Sequence, residues 1–314
     1  MVLKQQQIVP YVTLSKNKHM KDFLFFTYSW VDNANYLFES FVKRGHTIDI
    51  VTEKTLRSFE PIVAYKNIVL YLHEEWSIPI TNRLINEHPL LKDATLIQHD
   101  DTDFEDVQVW SDKKPVLVMQ RELTAHTKNP WKDVPVEPFH FPMPSLYDAS
   151  QQQKVYDVCF LGNVTNPKRY GLYQAARQIA ERNPQQNWFF KLTQLNTPTD
   201  PNEFKRVLNQ SKVGLHYFGN SYDAHRIWQT ISTNTALLMP FFRNKSVDAD
   251  HMPFNEYLVL RDDYADLEEK LAYLLDSDRY KIYAAAGLEA YNERHNQEKC
   301  FDYYYPKVMQ HAKR

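Results

Sequence analysis

The fold is decided by the stretch Tyr156-Asp157-Val158-Cys159-Phe160-Leu161-Gly162-Asn163, in which consecutive apolar residues lead to a glycine. A short, continuously apolar run is typical of a strand that is buried on both faces of a parallel sheet. The next segment has helical periodicity, and the same alternation continues toward the C-terminus. We predict strands at 155–161, 188–192, 213–218, 236–239 and 257–260, and helices at 169–182, 201–209, 226–233, 264–275 and 280–294.

The first half of the chain repeats this pattern. We predict strands at 23–27, 47–51, 67–72, 94–97 and 115–119, and helices at 33–44 and 78–87, with Gly45 ending the first helix. Residues 130–152 hold clustered prolines and a glutamine run, which is typical of an interdomain linker. The prediction is an α/β protein of two Rossmann-like, parallel-sheet domains facing a central cleft, at 1–140 and 141–295. A C-terminal helix at 296–314 is expected to pack back on the first domain.

The composition is that of a globular protein: 43% of the 314 residues are hydrophobic, 24% are charged, and the net charge is −2. Such a charge gives no global attraction to nucleic acid or to an acidic membrane. There are only 6 glycines, and neither GxGxxG nor GxxxxGK[ST] occurs, which disfavours dinucleotide folds and P-loop proteins. We expect no metal, no cofactor, no integral membrane segment and a cytoplasmic location.

Four segments of the second half carry a resemblance to a known family. They are Asp157-Val158-Cys159-Phe160-Leu161-Gly162-Asn163 with Lys168-Arg169, then Ser211-Lys212-Val213-Gly214-Leu215, then His225-Arg226-Ile227-Trp228-Gln229, and finally Tyr264-Ala265-Asp266-Leu267. In this order they resemble the C-terminal domain of group 1-type GT-B glycosyltransferases, in particular the spore-maturation branch. The resemblance implies a nucleotide-sugar donor site in the second domain and an acceptor domain in the first.

Cations near predicted strand ends support the same donor site. Gly162 permits a tight turn, the helix after it presents free N–H groups, and Lys168 and Arg169 add positive charge for a pyrophosphate. Arg226 begins another helix, where its guanidinium is suited to a bidentate diphosphate contact. A solvated helix start is the alternative interpretation for Lys168 and Arg169. The complete set of predicted donor-binding residues is Gly162, Asn163, Lys168, Arg169, Tyr217, His225, Arg226 and Gln229.

Two departures from the family pattern concern stereochemistry and a turn. Many retaining members have glutamates where this chain has Ser221 and Gln229, so the acidic pair is absent and an inverting mechanism stays open. Gln229 retains the ability to hydrogen-bond a ribose hydroxyl. Asn234 stands where the family usually has glycine, and asparagine tolerates the left-handed conformation that such a position requires.

An inverting transferase needs a base, and the segment after the fourth predicted strand is rich in candidates. We predict the base among Asp100, His99 and Asp101, in that order, because ligands bind beyond the carboxyl ends of parallel strands. A solvated acidic loop in which Asp101 caps a helix is the alternative. Trp30 and Glu74 follow two other strands and are predicted to bind the acceptor.

The most specific function that these patterns support is sugar transfer from a nucleoside diphosphate sugar, a co-substrate, to a hydroxyl acceptor. That acceptor is a saccharide, a protein or a nucleic-acid base. An epimerase or hydrolase of nucleotide sugars with the same fold, and a non-catalytic nucleotide-sugar-binding protein, are the alternatives.

Overall fold

Two parallel sheets, one in each half of the chain, form the frame of the molecule in a computed structural model. The structure describes residues 20–27, 32–72, 78–100, 106–121, 123, 126–139, 143–163, 167–193, 200–217, 225–240 and 258–314. Neighbouring strands in both sheets pair in parallel. This confirms the predicted α/β class with two parallel-sheet domains.

The first sheet has six strands in the order β2-β1-β3-β4-β5-β6. They are β1 (Lys21–Thr27), β2 (Ile48–Thr52), β3 (Tyr65–Leu72), β4 (Thr95–Asp100), β5 (Leu117–Gln120) and β6 (Val136–Pro138). Between the first four of these strands lie α1 (Asp32–Lys43), α2 (Glu53–Leu56) and α3 (Ile78–Glu87). Gly45 follows α1 with φ +86°, a conformation that glycine adopts without a steric cost.

The second sheet has five strands in the order β11-β10-β9-β7-β8. They are β7 (Tyr156–Asn163), β8 (Trp188–Thr193), β9 (Ser211–Leu215), β10 (Ala236–Pro240) and β11 (Val259–Leu260). The helices of this half are α4 (Pro167–Arg182), α5 (Pro201–Asn209), α6 (His225–Ile231), α7 (Leu267–Leu275) and α8 (Tyr280–Ala290). None of the described helices combines the length and the hydropathy that a bilayer span requires.

Each sheet is buried on both faces, which explains its continuously apolar strands. On β1, Phe23 and Phe25 pack against α1 and the C-terminal helix, whereas Leu24 and Phe26 belong to the cluster on the opposite face. On β7, Val158 and Phe160 belong to the main core of the second domain, whereas Cys159 and Leu161 pack against α5. Successive side chains of a strand point to opposite faces, so a strand that is buried on both faces needs apolar residues at successive positions.

The C-terminal helix α9 (Gln297–His311) packs on the first sheet, although it follows the second domain in sequence. Its Phe301 and Tyr304 are 1% exposed and lie in the same apolar cluster as Phe23. A single π-helical turn at Tyr291–His295 precedes it. There, the Tyr291 hydroxyl donates to the Met143 carbonyl oxygen at 2.6 Å.

Three differences from the prediction bear on the site. Strand β4 continues through His99 and Asp100, which we had placed in a turn, because strand pairing extends to Asp100. Strand β9 ends at Leu215 instead of residue 218. The predicted linker contains β6, which pairs with β5 at the edge of the first sheet, where Pro138 is tolerated.

Candidate functional site

The carboxyl ends of the parallel strands bring chemically active side chains together at one edge of each sheet. In the second sheet, β7 ends at Asn163 and the neighbouring β9 ends at Leu215, directly before His216. In the first sheet, β4 ends at Asp100, beside Gln120 at the end of β5. These two edges hold the described part of the predicted site.

Arg169, in the first turn of α4, is buried with 5% of its surface exposed. Its Nε and one terminal nitrogen donate to the Tyr217 carbonyl oxygen at 3.2 and 3.1 Å, and the other terminal nitrogen donates to the Asn163 side chain. A Cβ on Gly162 would lie 3.0 Å from the Phe160 ring, so the missing side chain makes room for that ring, whereas its distance of 3.5 Å from Arg169 Cδ would be an ordinary contact. Neutral groups, namely the Tyr217 carbonyl oxygen and the Asn163 side chain, orient the guanidinium. Burial disfavours its charge and lowers the pKa of Arg169 to about 10.

Arg226, in the first turn of α6, is a half-buried cation with no hydrogen-bond or ion-pair partner among the described residues. Its guanidinium lies 5.7 Å from the centre of the Phe204 ring, and its Nε is buried with no acceptor. Burial, with Arg169 as a further cause, lowers the pKa of Arg226 to about 10. A buried cation without a partner is rare, because leaving such a group unpaired is costly. Both arginines therefore favour an anion at this edge.

His216 directly follows β9 and is 2% exposed. Its backbone N–H donates to the Leu238 carbonyl oxygen at 3.0 Å, which fixes the chain against β10. Its Nε2 is buried and has no hydrogen-bond partner among the residues that the structure describes. Burial, Arg226 and Arg169 together hold the pKa of the imidazole well below its ordinary value, so the ring is neutral at neutral pH. Sequence reasoning missed His216 because it stood inside a run predicted as strand.

The other predicted donor residues surround this group. Tyr217 is buried, and its ring lies 6.1 Å from that of Tyr264, whose hydroxyl donates to the Lys168 carbonyl oxygen at 2.7 Å. The Lys168 side chain is exposed, as is His225 at the start of α6. Gln229 lies one helical turn after Arg226 and is half-buried.

Asn234, three residues after the last residue of α6, adopts a left-handed conformation with φ 57°. This confirms the conformation predicted for the position at which the resembling family usually has glycine. The chain can therefore turn from α6 into β10 without that glycine.

His99 is fully buried in an aromatic cage in the first domain. Its ring centre lies 4.1 Å from that of Tyr71, 3.8 Å from that of Phe139 and 5.4 Å from that of Tyr304. Burial and the charge of Arg121 hold its pKa well below the ordinary value. In this arrangement the imidazole is a packing element of the core and has no open path to an acceptor.

Asp100 is also fully buried, but it lies at the last position of β4. Its Oδ2 accepts the N–H of Gln108 at 3.0 Å, and its carbonyl oxygen accepts the N–H of Arg121 at 3.0 Å. Gln120 and Arg121, which sequence reasoning did not single out, are buried beside it. Gln120 is the last residue of β5 and Arg121 directly follows it, so position at a strand end is the signal that they share with Asp100.

Three predicted residues, namely Asp101, Trp30 and Glu74, lie outside the described residues. Within the described ranges, no three His, Cys, Asp or Glu side chains are grouped so that they could hold a metal ion.

Comparison with known proteins bears on the fold. Neither a family model nor a curated protein sequence matches the chain. Among solved structures, it is similar to an α-glucosyltransferase in complex with UDP and a 13-mer DNA containing an HMU base, with 10% identity and a TM-score of 0.53 over 93% of this chain and 100% of that chain. It is also similar to AviGT4, a glycosyltransferase involved in avilamycin A biosynthesis, with 11% identity and a TM-score of 0.53 over 93% and 98%.

A third similar structure is Anabaena HepE in complex with UDP-glucose, with 8% identity and a TM-score of 0.53 over 92% of this chain and 100% of that chain. Likenesses over nearly the whole of both chains show that this protein has the GT-B fold of glycosyltransferases, as the sequence predicted. The likeness to the spore-maturation branch is not tested by them and stays a prediction.

Proposed function

We propose that this protein is a glycosyltransferase that moves a sugar from a nucleoside diphosphate sugar to a hydroxyl acceptor. One observation carries the proposal: Arg169 and Arg226 lie close enough for one to lower the pKa of the other, and no carboxylate of the described residues contributes to the pKa shift of either. Two neighbouring guanidinium groups whose surroundings disfavour their charge are suited to a diphosphate. The GT-B fold supplies the setting, because its two domains face each other across a cleft.

Each donor-binding residue then has a specific task. Arg226 contacts the diphosphate directly, since its guanidinium has no other hydrogen-bond partner within the described ranges. Arg169, oriented by Asn163 and the Tyr217 carbonyl oxygen, supplies the second positive charge. Gln229 hydrogen-bonds the ribose, and Lys168 and His225 lie at the exposed rim of the site.

This arrangement favours the breaking of the bond between the sugar and the diphosphate. Negative charge develops on the leaving nucleoside diphosphate as that bond breaks, and cations fixed beforehand stabilise it. The acceptor hydroxyl must lose a proton in the same reaction. For an inverting enzyme we propose Asp100 as the base in preference to His99, because the His99 ring is enclosed by three aromatic rings. Asp101, Trp30 and Glu74 keep their proposed roles in base catalysis and acceptor binding.

The first experiment measures binding. UDP, GDP, ADP, CDP and dTDP are tested by thermal shift and then by calorimetry. A nucleotide at 100 times its dissociation constant adds about 2.7 kcal/mol of stability, which a shift in melting temperature reports. Failure of every nucleoside diphosphate to bind would remove the basis of the proposal.

The second experiment measures transfer. The sugar forms of the nucleotide that binds are offered with saccharides, proteins and DNA containing an HMU base as acceptors, and products are identified by mass spectrometry. Glycosylated acceptor supports the transferase. Conversion or hydrolysis of the donor without transfer would instead support the epimerase or hydrolase, and binding without turnover would support a nucleotide-sugar-binding protein.

A further inference from the structure

His216 occupies the central strand position of the candidate donor site. Strand β9 is the middle strand of the second sheet, with β10 on one side and β7 on the other, and His216 directly follows its last residue. The next residue, Tyr217, provides the carbonyl oxygen that holds Arg169. A buried imidazole at this point, with Nε2 unpartnered among the described residues, is therefore built into the framework that positions the arginine.

Among the described residues, the charges that act on His216 are positive. The elements next to it carry Lys168 and Arg169 on α4, His225 and Arg226 on α6, Cys159 on β7, Tyr217 beside it and Tyr264 against Tyr217. Burial raises the pKa of the Cys159 thiol to about 11, so this group is neutral, and β10 carries no titratable side chain. Asp262 contributes to raising the pKa of Tyr264, but within the described ranges only the two arginines act on the pKa of His216 through their charge.

We propose that His216 is a proton-responsive contact of the donor site, which takes up a proton when a nucleoside diphosphate binds and then donates a hydrogen bond from Nε2 to a phosphate oxygen. This inference rests on the proposed function and adds a residue and a pH dependence to it. Without a ligand, both arginines repel the extra proton. A bound diphosphate neutralises that repulsion and adds attraction, so the protonated imidazole becomes favourable.

Linkage makes this proposal measurable. If binding raises the pKa of His216, protonation must strengthen binding by the same factor. If binding makes the imidazole hold its proton about tenfold more tightly, the protonated protein binds the nucleotide about tenfold more tightly as well. A free nucleoside diphosphate carries more negative charge than its sugar ester. The effect should therefore be larger for UDP than for UDP-glucose, and the site distinguishes the leaving product from the donor by charge.

The test compares the whole protein with its His216→Gln and His216→Asn variants, using UDP and inorganic pyrophosphate as probes. Calorimetry at pH 6.0, 7.0 and 8.0 in PIPES and in imidazole gives both the affinity and the number of protons taken up. Taking the ratio of variant to wild-type dissociation constants at each pH cancels the titration of the ligand itself. His46→Gln, which removes a half-buried histidine of the first domain, is the matched control.

We expect the ratio for UDP to be about tenfold larger at pH 6.0 than at pH 8.0. We also expect wild type and His46→Gln to take up more protons than either His216 variant. Binding of UDP to wild type with equal proton uptake and a pH-independent ratio would overturn the role of His216 and leave the proposed function standing. Absence of binding of pyrophosphate and of all five nucleoside diphosphates to wild type would overturn the two together.

A readout on wild type alone removes any dependence on the folding of the variants. In protein labelled with 15N at histidine, UDP should move the titration of one buried imidazole to higher pH. That signal is assigned to His216 by its loss in either variant, or by its proximity to UDP phosphorus if both variants fail to fold. An imidazole that stays neutral down to pH 6.0 with UDP bound contradicts the proposal.

Discussion

The carboxyl edges of the two sheets have the same architecture but differ in the charge and the enclosure of their buried polar groups. At the second sheet, Arg226 and His216 carry nitrogen atoms that have no partner among the described residues, and no carboxylate contributes to the pKa shift of either group. At the first sheet, Asp100 accepts a backbone N–H through its side chain and another through its carbonyl oxygen. The His99 ring there is enclosed by aromatic residues.

This difference separates a binding surface from a supporting one. Buried polar groups in proteins almost always have hydrogen-bond partners, so each exception needs an explanation. An unpartnered group beside cations is explained by an anionic ligand that supplies the partner. By this criterion the second edge is prepared for an anion before the anion arrives. At the first edge both ring nitrogens of His99 also lack a partner among the described residues, but three aromatic rings enclose that side chain. Any chemistry there depends on the Asp100 carboxylate, which already accepts a backbone N–H.

The strongest test of this comparison is the base. We expect Asp100→Asn to lower turnover by about 100- to 10,000-fold while leaving the affinity for nucleoside diphosphate unchanged. Asparagine keeps the size of the side chain and can still accept the Gln108 N–H, so the fold should be preserved. The measurement is the rate of sugar transfer at saturating donor, with the anomeric configuration of the product determined by NMR.

His99→Asn is the control for that experiment. It removes packing from the aromatic cage, so it should reduce stability while turnover of the folded enzyme stays near normal. Normal turnover in Asp100→Asn would move the base to Asp101 or Glu74. Retention of anomeric configuration would end the general-base role of the first edge altogether.

The second test removes the unpartnered cation. We expect Arg226→Ala to weaken diphosphate binding by roughly 1.5 to 3 kcal/mol, the range for hydrogen bonds to charged groups. Arg177→Ala is the matched control, because Arg177 lies over the Phe190 ring and is exposed. Calorimetry with the nucleotide that binds best decides the matter, and equal affinities for the two variants would show that Arg226 is not a diphosphate ligand.

Periodicity predicted most of the fold because each element is buried on a regular pattern of faces. Helix α3 was predicted at residues 78–87 and is observed at Ile78–Glu87. The errors fall where polar residues continue a strand. Gln98 is buried and its side-chain nitrogen donates to the Gln108 carbonyl oxygen at 2.6 Å, a long-range bond that no local pattern reveals. The C-terminal helix was expected to pack back on the first domain, and α9 does pack on the first sheet.

In the candidate site, sequence-based prediction overlooked one buried residue and gave another too much weight. Arg169 and Arg226 were visible in the sequence because cations at helix starts interrupt apolar segments. His216 was hidden because the strand was predicted to run through it, and only the structure shows that pairing stops at Leu215. His99 was over-interpreted for the opposite reason, since position near a strand end says nothing about which rings surround a side chain.

The close packing beneath α6 can be tested with a smaller change. A Cβ on Gly214 would lie 2.8 Å from Thr230 Cγ2, so alanine at this position must push α6 away from β9. We expect Gly214→Ala to cost roughly 1 to 3 kcal/mol of unfolding free energy and to weaken nucleotide binding through the displaced Arg226. In the control Gly287→Ala, the new atom would lie 3.4 Å from Ile231, an ordinary contact, and stability should stay within about 1 kcal/mol of wild type. Urea titrations give both values, and equal stabilities would show that α6 is free to move.

The last test sharpens the comparison within the second domain, where Lys154 is a buried cation that does have partners. Its ammonium donates to the carbonyl oxygens of Asn209 and Asn234 at 2.9 and 2.8 Å, just before β7 begins. Burial lowers the pKa of Lys154 to about 8, below the value of about 10.4 for an unfolded lysine. The unfolded chain therefore binds more protons between these two pH values, and the unfolding free energy should rise with pH by roughly 1 kcal/mol per pH unit from pH 8 to 9.5.

Lys154→Met should remove this rise, whereas Lys128→Met, at an exposed site, should keep it. Urea unfolding at pH 7.5, 8.5 and 9.5 measures the slopes, and identical slopes in wild type and Lys154→Met would show that the two carbonyl oxygens compensate fully for the burial of the charge.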